Sequence, residues 1–389
     1  MAFDPRAHRA LGSLSELRLP PDLAAFRAEV RAFLAEEMAP ERIRGHLDAL
    51  DLTGLDDAFE RAHLRRAGER GYLGIAIPRE FGGGGKPGAW KSVYDYEAGY
   101  HDAPSIDTAV TLCGAPLVRY GSERQRAHWL PRMIRGEING CIAYSEKGAG
   151  TDLAALATTG EYRGGRWHLR GGKALVTGGH KADMCVTLVK TEPGAAPRDA
   201  MSLFVLPLPH PGVTVRRRAT MNGWTLSEIV FDDAVLDDEA LLGQRGKGWS
   251  MVLSALGDER AGFAWLGWAT RMVEALCERY DDPEVAGIAV ELGVARRFCQ
   301  RMLDMHAAGE RITYQGSVTK VYTTELLQRV ARLGVRLEGE AALRWSPIFQ
   351  GGSRFTWELI ERIHCAISVG ANEVQRDAIA RFGLGLGRS

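Results

Sequence analysis

A chain of 389 residues is long enough for two or three domains or one large composite core, and 45% apolar with 25% charged residues is the make-up of an ordinary soluble globular protein. The 49 basic residues balance 49 acidic ones, which argues against a nucleic-acid or anionic-membrane surface, and no apolar run approaches bilayer length. Six scattered cysteines without a Cys-x-x-Cys pair, histidines without metal-ligand spacing and an N-terminus lacking an apolar signal core point to a cytoplasmic protein with buried thiols and no metal.

Residues 22–38 read as a helix capped by Asp22, with Leu23, Phe26, Val30, Phe33 and Leu34 in one stripe and Pro40 as the stop. A second helical pattern covers 55–70. Glycines 82–85 with Pro87 form a loop, and helical runs resume at 90–101, 105–119 and 122–135. The texture then changes. Segments 140–145, 157–163, 166–170, 173–178, 184–190, 202–206, 213–218 and 227–231 are short, β-branched or alternating, which predicts a small barrel or sandwich. Long helices return at 247–280, 284–308, 313–343, 353–366 and 370–382. The order is that of an α+β protein. It divides at 1–138 (helical), 139–243 (β) and 244–389 (helical bundle).

Residues 141–152, Cys-Ile-Ala-Tyr-Ser-Glu-Lys-Gly-Ala-Gly-Thr-Asp, carry the chemistry. An apolar run breaks into a loop whose glycines, Gly148 and Gly150, let backbone N–H groups approach an anion, with the Thr151 hydroxyl beside them. This loop resembles the Ser/Thr-Glu-Pro-Gly-Ala-Gly-Ser/Thr-Asp signature of the acyl-CoA dehydrogenase family, with Lys147 in place of the proline. Other stretches match in the family's order. They include Tyr120-Gly121-Ser122-Glu123-Arg124-Gln125, Val176-Thr177-Gly178-Gly179, Val230-Phe231-Asp232-Asp233, Gly246-Lys247-Gly248-Trp249, Asp258-Glu259-Arg260 and Glu373-Val374-Gln375-Arg376.

The resemblance implies a helical N-terminal domain, a central β-domain and a C-terminal four-helix bundle. It also implies FAD and an acyl thioester substrate, carried on CoA or an acyl carrier protein. A base removes the α-proton while hydride leaves to flavin N5. Carried over by position, Tyr144 and Ser145 meet the flavin pyrimidine edge, Gly150 and Thr151 the pyrophosphate, and Thr177 the flavin N5. Leu175 stands where a tryptophan covers the ring, and Glu373 joins the cofactor contacts.

The usual C-terminal glutamate is Val369 here, which cannot accept a proton. Its N–H, beside Gly370, is left to donate to the thioester carbonyl. A minority of the family carries the base at the position of Glu259, which makes Glu259 the catalytic candidate. Helical spacing sets it with Gly262, Phe263 and Leu266, a setting that would raise its pKa by desolvation. Arg260 matches an arginine that contacts CoA.

Other departures touch the flavin's far side. Asp281-Asp282-Pro283-Glu284-Val285 replaces an arginine-bearing segment that reaches a partner's pyrophosphate. Arg336-Leu337-Glu338-Gly339-Glu340 replaces a Gln-x-x-Gly-Gly loop, and Ala371 replaces a threonine. The resemblance implies a homodimer or homotetramer, with an unknown electron acceptor. The departures leave open a non-catalytic subunit of a heteromer, or a flavin oxidase or monooxygenase.

Overall fold

In the computed structural model, which describes residues 17–47, 55–104, 108–220, 225–259, 262–344 and 354–387, helices occupy both ends of the chain and strands its middle. In chain order the α-helices of more than four residues are α1 (Pro21–Glu37), α2 (Asp57–Glu69), α3 (Gly88–Tyr100), α4 (Ala115–Tyr120), α5 (Glu123–Ile134), α6 (Gly248–Glu259), α7 (Phe263–Arg279), α8 (Pro283–Ala307), α9 (Gln315–Glu338), α10 (Arg354–Glu361) and α11 (Asn372–Ala378). The strands are β1 (Gly140–Ala143), β2 (Thr159–Arg163), β3 (Arg166–Thr177), β4 (Met184–Lys190), β5 (Met201–Pro207), β6 (Val213–Ala219), β7 (Thr225–Asp237) and β8 (Leu241–Leu242). Two compact units result. One gathers α1, α3 and α7 to α11; the other gathers α2, α4 to α6 and the strands. The helix–strand–helix order expected of an α+β chain is the order observed.

The helical unit is built on α7, α8 and α9, whose apolar stripes meet in a core that includes Leu266, Met272, Leu292, Cys299, Leu326, Val330 and Phe355. Glycines bring α3 against α7. A Cβ on Gly99 would lie 2.2 Å from the Ala264 carbonyl oxygen, and one on Gly267 would lie 2.2 Å from that of Tyr96. Only residues without side chains permit so close a crossing. α1 begins at Pro21, so Asp22 does not cap it. It sits in the first turn, where its charge faces the positive end of the helix. α8 is capped by Asp282, whose carboxylate accepts from the Glu284 N–H at 2.7 Å.

The strand unit contains a mixed eight-stranded sheet in the order β6-β7-β3-β2-β4-β5-β8, with β1 added in parallel on β4. Strands β4 and β5 are almost wholly buried, as continuous apolar runs require. The runs 166–170 and 173–178 are one strand, β3, carried past Gly171 (φ 135°) with shifts of register against β7. α5 begins with a capping box. The Ser122 hydroxyl accepts from the Gln125 N–H, and the Gln125 side chain returns to the Ser122 N–H and reaches the carbonyls of Glu239 and Leu241.

The run 247–280, expected as one helix, is two. α6 ends at Glu259 and α7 starts at Phe263 behind Gly262, which caps it in the left-handed conformation (φ 74°). The helical spacing expected to link Glu259 with Phe263 and Leu266 therefore does not run through a single helix.

Candidate active site

The loop after β1 is held by a buried ion pair. Its ends close on themselves, with Glu146 and Ala149 exchanging N–H···O bonds of 2.8 and 3.1 Å around Lys147-Gly148. The Glu146 carboxylate turns inward and accepts from Ala157 N–H (2.6 Å), Thr158 N–H (3.0 Å) and Lys173 Nζ (2.7 Å). Lys173, on β3 and fully buried, also donates to the carbonyls of Leu188 (2.6 Å) and Tyr144 (3.3 Å).

Burial alone would raise the Glu146 carboxyl, but the bonds from Lys173, Thr158 and Ala157 outweigh it and hold the group below its ordinary range. Burial lowers the Lys173 ammonium, and Glu146 recovers part of that loss. A charged pair with this many bonds fixes the loop against the sheet.

What the loop presents outward fits an anion. An added Cβ on Gly148 or Gly150 meets nothing within 4 Å, and both glycines and Thr151 are exposed. Among the described residues, the amides of Gly150 and Thr151 and the hydroxyls of Ser145, Thr151 and Thr177 have no protein partner. Ser145 is tied to β3 through its carbonyl, which accepts from Ala174 N–H at 2.8 Å, and Tyr144 is buried. Leu175 bulges from β3 with φ 58° and 69% exposure, an unusual backbone for an apolar residue in open surroundings. The donors suit a phosphate-bearing group, such as the pyrophosphate of FAD.

The helix bearing Glu259 is anchored at its start. Gly246 N–H donates to the Ser202 hydroxyl (2.9 Å), and a Cβ on Gly248 would lie 2.7 Å from Leu188 and 2.8 Å from the Ser202 backbone, so α6 starts flush on β5. Glu259 is the last residue of α6; its side chain, and Arg260 altogether, lie outside the described residues.

In the helical unit, residues 366–372 form a turn with two successive left-handed residues, Val369 (φ 57°) and Gly370 (φ 85°). Neither N–H has an acceptor among the described residues. Glu373 is exposed in the first turn of α11. The acids that stand in place of the family's arginine segment have structural uses. Asp282 caps α8 and Glu284 pairs with Arg336 at 2.8 Å. Of the aromatics on the bundle helices, Phe263, Trp265, Phe355 and Trp357 are core, while Trp345 and Phe349 lie outside the described residues.

Sequence reasoning missed the buried cations Lys173 and Lys320, the fixers of the two loops. It also missed an ionic core. Glu358 bonds Arg354 (2.7 Å) and Arg362 (2.6 Å), and Arg362 lies 4.0 Å over the Trp268 ring. In α10 and the residue after it these charges alternate as they would on a surface helix, so no hydropathy signal marks them. Among the described residues, no helix is long and apolar enough to cross a membrane.

The chain matches the acyl-CoA dehydrogenase N-terminal domain over residues 20–137, the middle domain over 141–234 and the C-terminal domain over 246–384. Acyl-CoA dehydrogenase IpdE1 of Mycobacterium tuberculosis is 29% identical over 386 residues, covering 94% of this chain and 98% of that protein. The Tcur3481-Tcur3483 steroid ACAD superposes with a TM-score of 0.86 at 27% identity, covering 96% of this chain and 100% of that one. The ChsE4-ChsE5 complex from Mycobacterium tuberculosis gives 0.84 at 26%, with 96% and 100% covered. The chain belongs to the acyl-CoA dehydrogenase family, flavin oxidoreductases that act on CH–CH groups.

Proposed function

We propose that this chain carries out FAD-dependent α,β-dehydrogenation of an acyl thioester, with Glu259 as the base. One observation carries the reading. Among the described residues, the hydroxyls of Ser145, Thr151 and Thr177 have no protein partner, and the Glu146–Lys173 pair holds the loop that carries Ser145 and Thr151. Tyr144 and Ser145 would hold the pyrimidine edge of the flavin, Gly150 and Thr151 its pyrophosphate, and Thr177 the edge near N5. Leu175 would cover the ring and Glu373 would join on the adenosine side. When bound, FAD supplies the acceptor for the β-hydrogen, which leaves as hydride.

The protein's own task is the α-proton, a very weak acid. Glu259 takes it onto a carboxylate, and the amides of Val369 and Gly370 donate to the thioester carbonyl, where negative charge develops. Arg260 holds the CoA moiety. Val369 leaves no carboxylate at the family's usual base position, so the assignment of the base falls on Glu259.

A second reading, the FAD-poor subunit of a heteromer, is favoured by Asp281–Glu284, which caps a helix where the family has an arginine for a partner's pyrophosphate. The ChsE4-ChsE5 structure is a complex of two named components.

The test is an absorption spectrum of the purified chain, then anaerobic addition of acyl-CoA and acyl-carrier-protein thioesters. Flavin bands that bleach support dehydrogenation. A chain that stays colourless with added FAD supports the heteromer reading instead. Rapid reoxidation by oxygen with product bound would move the chemistry to an oxidase.

A further inference from the structure

The turn bearing Val369 and Gly370 is not held by its own sequence. A β-branched residue at φ 57° is a backbone outlier, so the surroundings must impose it. The imposing group is Lys320. It lies in the second turn of α9 with no exposed surface, and its ammonium donates to the carbonyls of Ala366 (3.2 Å) and Gly370 (3.0 Å) and to Asn372 Oδ1 (2.7 Å). These acceptors bracket Val369 on both sides.

The clamp is reinforced. Asn372 is oriented by donating to the Thr324 hydroxyl (3.2 Å) and Glu325 (3.1 Å). Gly370 carbonyl receives a second donor, Gln375 Nε2 at 3.3 Å, and Gln375 is itself fixed by the Ser317 hydroxyl at 2.8 Å. A buried cation is costly unless its bonds are made, so this arrangement has one stable geometry. With the flanking carbonyls drawn to Lys320, the amides of Val369 and Gly370 keep no acceptor within the described residues.

We propose that Lys320 is a positioning residue, which holds the Val369 and Gly370 amides in the geometry that receives the thioester carbonyl. The inference rests on the dehydrogenase reading above. It makes Lys320 important for the developing charge in the transition state and not for cofactor or ground-state binding. Loss of an interaction realised in the transition state lowers kcat and kcat/KM together and leaves KM in place.

The experiment compares wild type with Lys320→Met, of similar length and without donors, per flavin-loaded enzyme. Misplacing a carbonyl-binding group by about 1 Å costs on the order of 100-fold. The expected result is a fall in kcat of roughly 10- to 100-fold, with KM and flavin content unchanged. Adding Val369→Gly, which adopts the left-handed backbone unaided, restores part of the loss. A structural role alone gives no such rescue.

Should Lys320→Met not fold, Gln375→Met removes the second donor to Gly370 and is expected to lower kcat several-fold at constant KM. Folded Lys320→Met with wild-type kcat, a loss that follows flavin content, or, in its place, folded Gln375→Met with wild-type kcat, overturns the inference alone. A wild-type chain that no thioester reduces overturns the functional reading and this inference with it.

Discussion

Replacing Lys173 by methionine tests whether a buried charge pair fixes the cofactor loop. The ammonium has no exposed surface and bonds Glu146, Leu188 and Tyr144, while Glu146 is 9% exposed on its side chain. Removing one partner of a buried pair costs about 3–5 kcal/mol, because the charge left behind is uncompensated. Glu146 retains the amides of Ala157 and Thr158, which pulls the cost toward the lower figure, whereas two carbonyls lose a donor, which pulls it back. For a unit of this size that is roughly 6–20 °C in Tm. The assay is urea and thermal unfolding of wild type, Lys173→Met, Glu146→Gln and the double variant, with flavin affinity measured in parallel. The double variant is expected to cost less than the sum of the singles by about 1–3 kcal/mol. A single-variant loss under about 1 kcal/mol, or strict additivity, refutes the idea that this pair holds the loop.

Glu259→Gln is expected to keep the flavin spectrum and lose at least about 100-fold in turnover, and full activity in that variant would reassign the base. At Leu175, exposed and left-handed, glycine should leave stability unchanged or raise it by up to about 1 kcal/mol, while valine should lower it by about 1 kcal/mol; urea midpoints read both. Gly267→Ala places a methyl 2.2 Å from the Tyr96 carbonyl, forces α3 and α7 apart, and is expected to cost about 1–3 kcal/mol or more in unfolding free energy. Burial pushes the Glu361 carboxyl up to about 8, against the partly opposing charges of His364 and Arg362. Between its ordinary range and pH 8 the folded chain holds a proton that the unfolded chain has released, so this group's stabilisation falls as pH rises through that window. Subtracting the Glu361→Gln curve from wild type reads Glu361 together with its coupling to His364, which burial shifts down and the Glu361 charge partly restores. No difference in slope between pH 5 and 8 would contradict the assignment.

Much of the architecture was legible because burial and period agree. β4 and β5 are continuous apolar runs, and α5 announces its start with Ser122 and Gln125. The glycine-rich loop is marked in the sequence by Gly148 and Gly150, and the structure shows both exposed together with Thr151. The break at Gly262 was not legible, because a glycine in left-handed capping geometry reads the same as one inside a helical period. Asp281 and Asp282 stand out in the sequence as part of a replaced arginine segment, and only the folded chain shows that Asp282 also caps α8. Lys173 and Lys320 look like surface lysines in a hydropathy plot, and their burial depends on carbonyls from distant segments that meet only in the folded unit.

The glycine-lined crossing of α3 and α7 also constrains how this protein can be made. The partners are separated by roughly 160 residues, so a ribosome adding about 5–20 residues per second finishes α3 some ten to thirty seconds before α7 exists. Throughout that interval the small-residue face of α3 has no backbone to rest on, and the sheet unit interposed in the sequence emerges first. The nascent chain therefore holds an unfinished helical unit across the synthesis of a finished one. A fragment cut after residue 137, where the first family match ends, carries α1 and α3, joined by Arg27, Arg31 and Glu97, without the α7 that α3 crosses.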